Sequence, residues 1–176
     1  MSFKKTFLPA LILAAICLIS ALALSLTNRL TADRIAEVEY ERYLASASAV
    51  LPEGATLTPL ALEGAEGFVG KNAEGELLGY AIKSSAKGYG GDVTCVVGFD
   101  KAGKLIGISV SAPDETPGLG TGVTKKDFTD ALLGAVTPPV LGEDFDAVTG
   151  ATYSSRAVEA AIKEAFSVFE TIKKGE

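Results

Sequence analysis

The chain has 176 residues, 48% of them apolar and 22% charged, and a net charge of −6 at neutral pH. That length accommodates one domain with a real core and is short for two domains plus an anchor. There is no histidine, and Cys17 and Cys95 are the only cysteines, so the common zinc, haem and iron–sulfur sites lack ligands and any electron transfer needs an organic cofactor.

Lys4 and Lys5 precede residues 7–26, which carry no charge. At ~1.5 Å per residue this stretch crosses a ~30 Å hydrocarbon layer. A cleaved signal peptide is the other reading, with Ala21-Leu22-Ala23 as a small-x-small site, but the apolar run exceeds the roughly 7 to 15 residues of a signal-peptide core. A retained transmembrane helix over residues 7–27 is expected. Ile16, before Cys17, is too large for a lipoprotein signal. The basic pair puts residues 1–6 in the cytoplasm and the rest of the chain outside it. Without Lys4 and Lys5, 14 basic residues remain against 22 acidic ones, a net of −8, which argues against nucleic acid or a broadly anionic lipid surface as partner. Cys17 in the span and Cys95 in an apolar strand cannot pair without unfolding one of them.

Residues 28–51 continue in a helix-compatible pattern, with Ile35, Val38 and Tyr43 among charges, until Leu51-Pro52-Glu53-Gly54 stops it. They are expected to form a helical stalk below a domain over residues 52–176. Turn sequences at residues 71–75 and 100–103 separate apolar, partly alternating runs at 67–70, 76–84, 93–99 and 104–111, the pattern of successive antiparallel hairpins. Gly88-Tyr89-Gly90-Gly91-Asp92, between the middle runs, reads as a glycine-rich turn rather than a ligand contact. Residues 125–135 have helical character, ended by Pro138-Pro139. In the last segment Val158, Ile162, Ala165, Phe169 and Ile172 recur at helical spacing, one apolar stripe to lie on a sheet, with Lys163, Glu164 and Lys173 off it. The fold class is therefore α+β: a mostly antiparallel sheet with packed helices, anchored by one N-terminal transmembrane helix.

Two stretches carry chemistry. Asp146-Ala147-Val148-Thr149-Gly150-Ala151-Thr152-Tyr153-Ser154-Ser155 brings hydroxyls to where a turn meets the last helix, whose start near Ser154 offers unpaired N–H groups and a positive dipole end to a phosphate. Read alone, T-G-A-T is also a helix cap, since Ser and Thr cap helices and Gly favours the preceding turn. Upstream, Asp114-Glu115-Thr116-Pro117-Gly118-Leu119-Gly120-Thr121 places Pro and Gly as in a type II turn, and Gly118 and Gly120 admit left-handed conformations. Such a turn presents backbone N–H groups and the Leu119 side chain to a flat ring.

The T-G-A-T-x-S string and E-T-P-G-L-G together resemble the two hallmarks of the FMN-binding domain family, found in the G-type component of Rnf electron-transport complexes and in the C-type component of sodium-pumping NADH:quinone oxidoreductase. In length the chain is nearer the Rnf branch. The glycine–tyrosine segment at 88–91 is similar to one that precedes the same strand in the family. The resemblance implies FMN joined to Ser154 by a phosphoester, donated from FAD by a separate flavin transferase. It places Glu115, Thr116 and Leu119 near the isoalloxazine, on the turn shaped by Gly118 and Gly120. Thr149, Gly150, Ala151 and Thr152 then surround the phosphate, the threonines as hydroxyl donors and Gly150 by close backbone approach. Two departures stand out: many members have a histidine before E-T-P-G-L-G where this chain has Pro113-Asp114, and many have threonine where it has Ser154.

The function implied is a redox relay, without catalytic side chains or metal of its own. It is that of an electron-transfer component in an Rnf-type membrane complex coupling ferredoxin:NAD electron transfer to sodium or proton translocation. Its partners would be the other membrane subunits and, during maturation, the transferase. Two alternatives remain open: an FMN carrier in extracytoplasmic electron transfer outside an ion pump, and an unflavinated membrane-anchored binding or scaffold protein in which T-G-A-T-x-S is only a cap.

Overall fold

The computed structural model describes residues 3–60 and 64–175; Met1 and Ser2, at the start of the expected cytoplasmic tail, and Glu176 lie outside it. Two compact units divide the chain at Arg42/Tyr43. The first unit is helical throughout its described residues, as part of α1 (Phe3–Ala49), which continues past Pro9. This helix is long and apolar enough to cross a membrane, with a mean hydropathy of 2.7 in its most apolar window. Its side chains between residues 7 and 26 are all exposed, Cys17 included.

The second unit holds a five-stranded antiparallel sheet in the order β1 (Thr56–Pro59), β2 (Glu66–Lys71), β3 (Leu77–Lys87), β4 (Asp92–Phe99) and β5 (Leu105–Ser111). Hairpins join β2 to β3, β3 to β4 and β4 to β5, as the alternation of apolar runs and turns predicts. The Asp100 carboxylate accepts the N–H groups of Ala102 and Lys104 at 2.8 and 2.9 Å, closing the β4–β5 turn. Asn72 Oδ1 does the same for the Glu76 N–H at 2.8 Å between β2 and β3.

Successive side chains on a strand point to opposite faces, and both faces of the central strands are covered. Tyr80, Ile82, Cys95, Val97 and Phe99 face α3 (Thr152–Gly175), whose stripe of Val158, Ile162, Ala165, Phe169 and Ile172 is buried against them. The ring of Phe99 meets Phe166 edge-on at 4.8 Å and Phe169 at 5.0 Å. On the other face Phe68, Ala81 and Val96 pack with Ala47, Val50 and Leu51 at the end of α1.

Two expectations need correction. The helix expected over residues 125–135 is only α2 (Lys126–Asp130), preceded by a 3-10 turn over Gly120–Thr124. The segment unwinds because its end belongs to the sheet: Leu105 donates to the Ala135 carbonyl and Gly134 to the Leu105 carbonyl, both at 2.8 Å. The helix stops at Asp130, and after the turns that follow it Gly134 takes a φ of +90° where the chain joins β5. The last helix begins at Thr152, two residues earlier than its expected start near Ser154.

Candidate functional site

The E-T-P-G-L-G segment connects β5 to the 3-10 turn, and it forms the anticipated tight turn. Leu119 donates to the Thr116 carbonyl at 3.1 Å, with Pro117 and Gly118 between them and Gly118 at a φ of +78°, the pattern of a type II turn. The Gly118 N–H is taken by Thr121 Oγ1 at 2.9 Å. Gly120, which could admit a left-handed conformation, does not adopt one. What it supplies is space, because a Cβ there would collide with the Glu115 carboxylate.

Glu115 is 3% exposed. Its Oε1 accepts the N–H groups of Tyr89 at 2.7 Å and Gly90 at 3.3 Å, while Oε2 is buried without a hydrogen-bond partner. The glycine-rich link between β3 and β4 is thus more than a reversal, although Gly88 does close it with an N–H to the Gly91 carbonyl at 2.8 Å. It is moulded onto Asp114 and Glu115, since a Cβ at Gly88 or Gly90 would strike the Glu115 carboxylate or the Asp114 carbonyl.

At the start of α3 the local geometry decides between a cap and an open anion seat. The first intrahelical bond runs from the Ser155 N–H to the Ala151 carbonyl at 2.9 Å, so Ala151 occupies the cap position and has no side-chain oxygen to offer. Ser155 Oγ turns back, accepting the Val148 N–H and donating to the Ala151 carbonyl, each at 3.0 Å. The N–H groups of Thr152, Tyr153 and Ser154 precede the first helical bond, and no acidic side chain lies in this turn. The cap reading of T-G-A-T therefore has no capping side chain behind it.

These pieces meet in one cleft of about 390 Å³, lined by Tyr89, Glu115, Thr116, Leu119 and Gly120 from the earlier part of the chain and Gly150, Ala151, Thr152, Tyr153 and Ser154 from the later part. Eight of the ten residues singled out from the sequence lie in it. Gly118 and Thr149 do not; both lie outside its lining. Gly150, at a φ of +77°, lies against Leu119, its pro-Cβ position 3.4 Å from Leu119 Cδ2. Ser154 is 1% exposed, on the cleft floor. Tyr89 and Tyr153 were missed: sequence reasoning treated the first as part of a turn and the second as the variable position in a motif. The signal available was two tyrosines with no place in the apolar stripes. Among the described residues no cluster of acidic or thiol side chains could hold a metal ion.

A partly apolar cleft whose lining includes the first residues of α3, with amides that precede the first helical bond, suits a phosphorylated ligand. The FMN-binding domain family matches residues 88–167, which contain the whole cleft, and the RnfG N-terminal region matches residues 1–50. The chain is 29% identical over 198 residues to the G-type component of the Na(+)-translocating ferredoxin:NAD(+) oxidoreductase complex of Acetobacterium woodii, covering 98% of this chain and 95% of that one. It is 34% identical over 180 residues to the G-type component of the ion-translocating oxidoreductase complex of Stutzerimonas stutzeri, covering 89% and 77%. Among solved structures, the C-type component of the Na(+)-translocating NADH-quinone reductase from Parabacteroides distasonis shares the fold, with a TM-score of 0.50 at 22% identity over 58% of this chain and 59% of that one. The chain belongs to the RnfG family of components of ion-translocating oxidoreductase complexes and carries that family's FMN-binding domain.

The residues present fit FMN. The unpaired amides of Thr152 to Ser154 suit its phosphate, Leu119 and the two tyrosines offer apolar surface to its ring, and Glu115 brings an unpartnered buried oxygen to the same cleft.

Proposed function

We propose that this chain is the electron relay of an Rnf-type complex coupling ferredoxin:NAD electron transfer to sodium or proton translocation, and that it carries FMN covalently on Ser154. Residues 7–27 anchor it as a single span, with the FMN domain outside the cytoplasm. The other membrane subunits of the complex are its partners. The observation that carries the covalent reading is the position of Ser154. It is the third residue of α3, beside amides that lack helical partners, in the cleft that also contains the E-T-P-G-L-G turn.

Donation from FAD by a flavin transferase forms the bond from Ser154 Oγ to phosphorus, breaks the pyrophosphate bond and releases AMP; the serine proton passes to a base of the transferase. The ester phosphate retains one negative charge, which the helix N-terminus receives. Bound FMN would supply one- and two-electron transfer. The tether prevents loss of the cofactor, so a shallow cleft suffices and the ring stays within reach of a redox partner.

The neighbouring hydroxyls sharpen the assignment. Ser155 Oγ is committed on both sides to backbone and lies outside the cleft. Thr152, exposed and in the cleft, is the competing acceptor. Protein produced with its transferase should show flavin fluorescence on a denaturing gel, abolished by Ser154→Ala and retained by Ser155→Ala and Thr152→Ala. Fluorescence that survives Ser154→Ala but vanishes in Thr152→Ala moves the attachment to Thr152. A colourless wild-type chain from a host that flavinylates other members of this family rejects covalent attachment.

A further inference from the structure

Tyr89 is 74% exposed and Tyr153 is 69% exposed, yet both line the cleft and their ring centroids lie 6.3 Å apart at an interplanar angle of 47°. Tyr80 by contrast is buried in the core, edge-on to Phe169. Neither exposed ring contributes to the core, and each leaves much of an aromatic face in water. Their backbones are nonetheless firmly held. Tyr89 is fixed through its own N–H and that of Gly90 to the buried Glu115 carboxylate, and Tyr153 is the second residue of α3, next to Ser154. Two elements far apart in sequence thus present adjacent rings from a fixed base, with Leu119, 49% exposed, on the same cleft.

We propose that Tyr89 and Tyr153 form an aromatic clamp that stacks on the isoalloxazine ring of the flavin. The proposal rests on the reading of the cleft as an FMN site and assigns its ring subsite. An isoalloxazine has two apolar faces and a polar edge, which suits phenols that stack with their rings while their hydroxyls stay in water. A planar ring between two others needs about 7 Å of separation, twice the ~3.5 Å of carbon–carbon contact. Rotation of two exposed side chains has to supply that widening and bring the rings from 47° to parallel; stacking on either phenol alone needs neither. A ring tied at its phosphate end and stacked reversibly at the other has a defined resting place and can still turn outward to a redox partner.

The test uses the full-length flavinylated protein in detergent, comparing wild type, Tyr89→Leu, Tyr153→Leu, the double leucine variant and the double Tyr→Trp variant. An electron-rich ring stacked on oxidised flavin quenches its emission, so the lifetime reports the clamp and the gel fluorescence reports attachment. Each leucine should lower the ratio of stacked to free ring by about 2- to 10-fold, seen as a growing long-lived component and falling anisotropy. The tryptophan variant should keep emission short-lived. Unchanged lifetime and anisotropy in the double leucine variant, with normal gel fluorescence, overturn the clamp. A second arm makes the clamp independent of attachment: Ser154→Ala protein titrated with FMN should quench its emission, and the added leucines should abolish that quenching. Equal quenching with and without the tyrosines overturns the proposal, whereas loss of gel fluorescence in the wild type counts only against the covalent link.

Discussion

Replacing Glu115 by alanine should loosen the link between β3 and β4 before it affects anything else. Oε1 holds two backbone N–H groups, one at 2.7 Å and one at 3.3 Å. Hydrogen bonds to a charged group contribute about 1.5–3 kcal/mol each, the longer one falling at or below the low end. Against this stands Oε2, buried without a partner, whose removal relieves a desolvation penalty of about 1–3 kcal/mol. The space left beside Gly88 and Gly120 adds a cavity cost of about 1 kcal/mol. The net is a destabilisation of about 2 kcal/mol, or a fall in Tm of roughly 8 °C at ~4 °C per kcal/mol for a domain of this size. Glu115→Gln keeps an acceptor oxygen and should lose less. The decisive assay is amide hydrogen exchange on the full chain in detergent, where protection at Tyr89 and Gly90 should drop about 10- to 100-fold in the alanine variant. Unchanged exchange at those two amides refutes the reasoning even if Tm falls, because the fall would then have another origin.

Cys95 gives a pH signature. Burial pushes its thiol from 9.0 up to about 12, so the folded state keeps the proton after the unfolded chain has lost it. Its contribution to stability is whole below pH 9 and is lost between pH 9 and about 12, at ~1.4 kcal/mol per pH unit. Denaturation of wild type and Cys95→Ala across that window should differ in slope by this amount; parallel curves rule out the assignment. For topology, a cysteine placed at Asn72 in an otherwise cysteine-free chain should react with an impermeant maleimide in intact cells stripped of outer barriers, and labelling only after lysis would reverse the orientation.

Much of this architecture was legible because each signal was local and redundant. The β2 to β5 hairpins follow from turn residues flanking apolar alternation, and α3 follows from a stripe that recurs four times at helical spacing. The shortened α2 was not legible. Residues 125–135 mix helix-favouring Lys, Ala and Leu with Asp, Phe, Thr and Gly, short helices are marginal alone, and the backbone of Gly134 and Ala135 is used by β5 instead, a demand set by tertiary structure. β1 was invisible because Thr56–Pro59 is four residues long and contains a proline, acceptable only at a sheet edge. The cleft itself was half legible. Two motifs named most of its lining, but Tyr89 enters through the orientation of a glycine loop on a buried carboxylate 26 residues away, which no spacing rule encodes.

The burial of Ser154 bears on the order of events in the life of the protein. In the folded domain its side chain is 1% exposed at the start of a helix that runs directly into the core. If Ser154 is the acceptor, its buried hydroxyl has to be uncovered for a transferase to reach it, which would place esterification on a nascent or briefly opened chain. The same burial would then limit the access of water to the ester. On that reading loading would act as a ratchet, completed at a particular moment of folding and not undone in the finished domain.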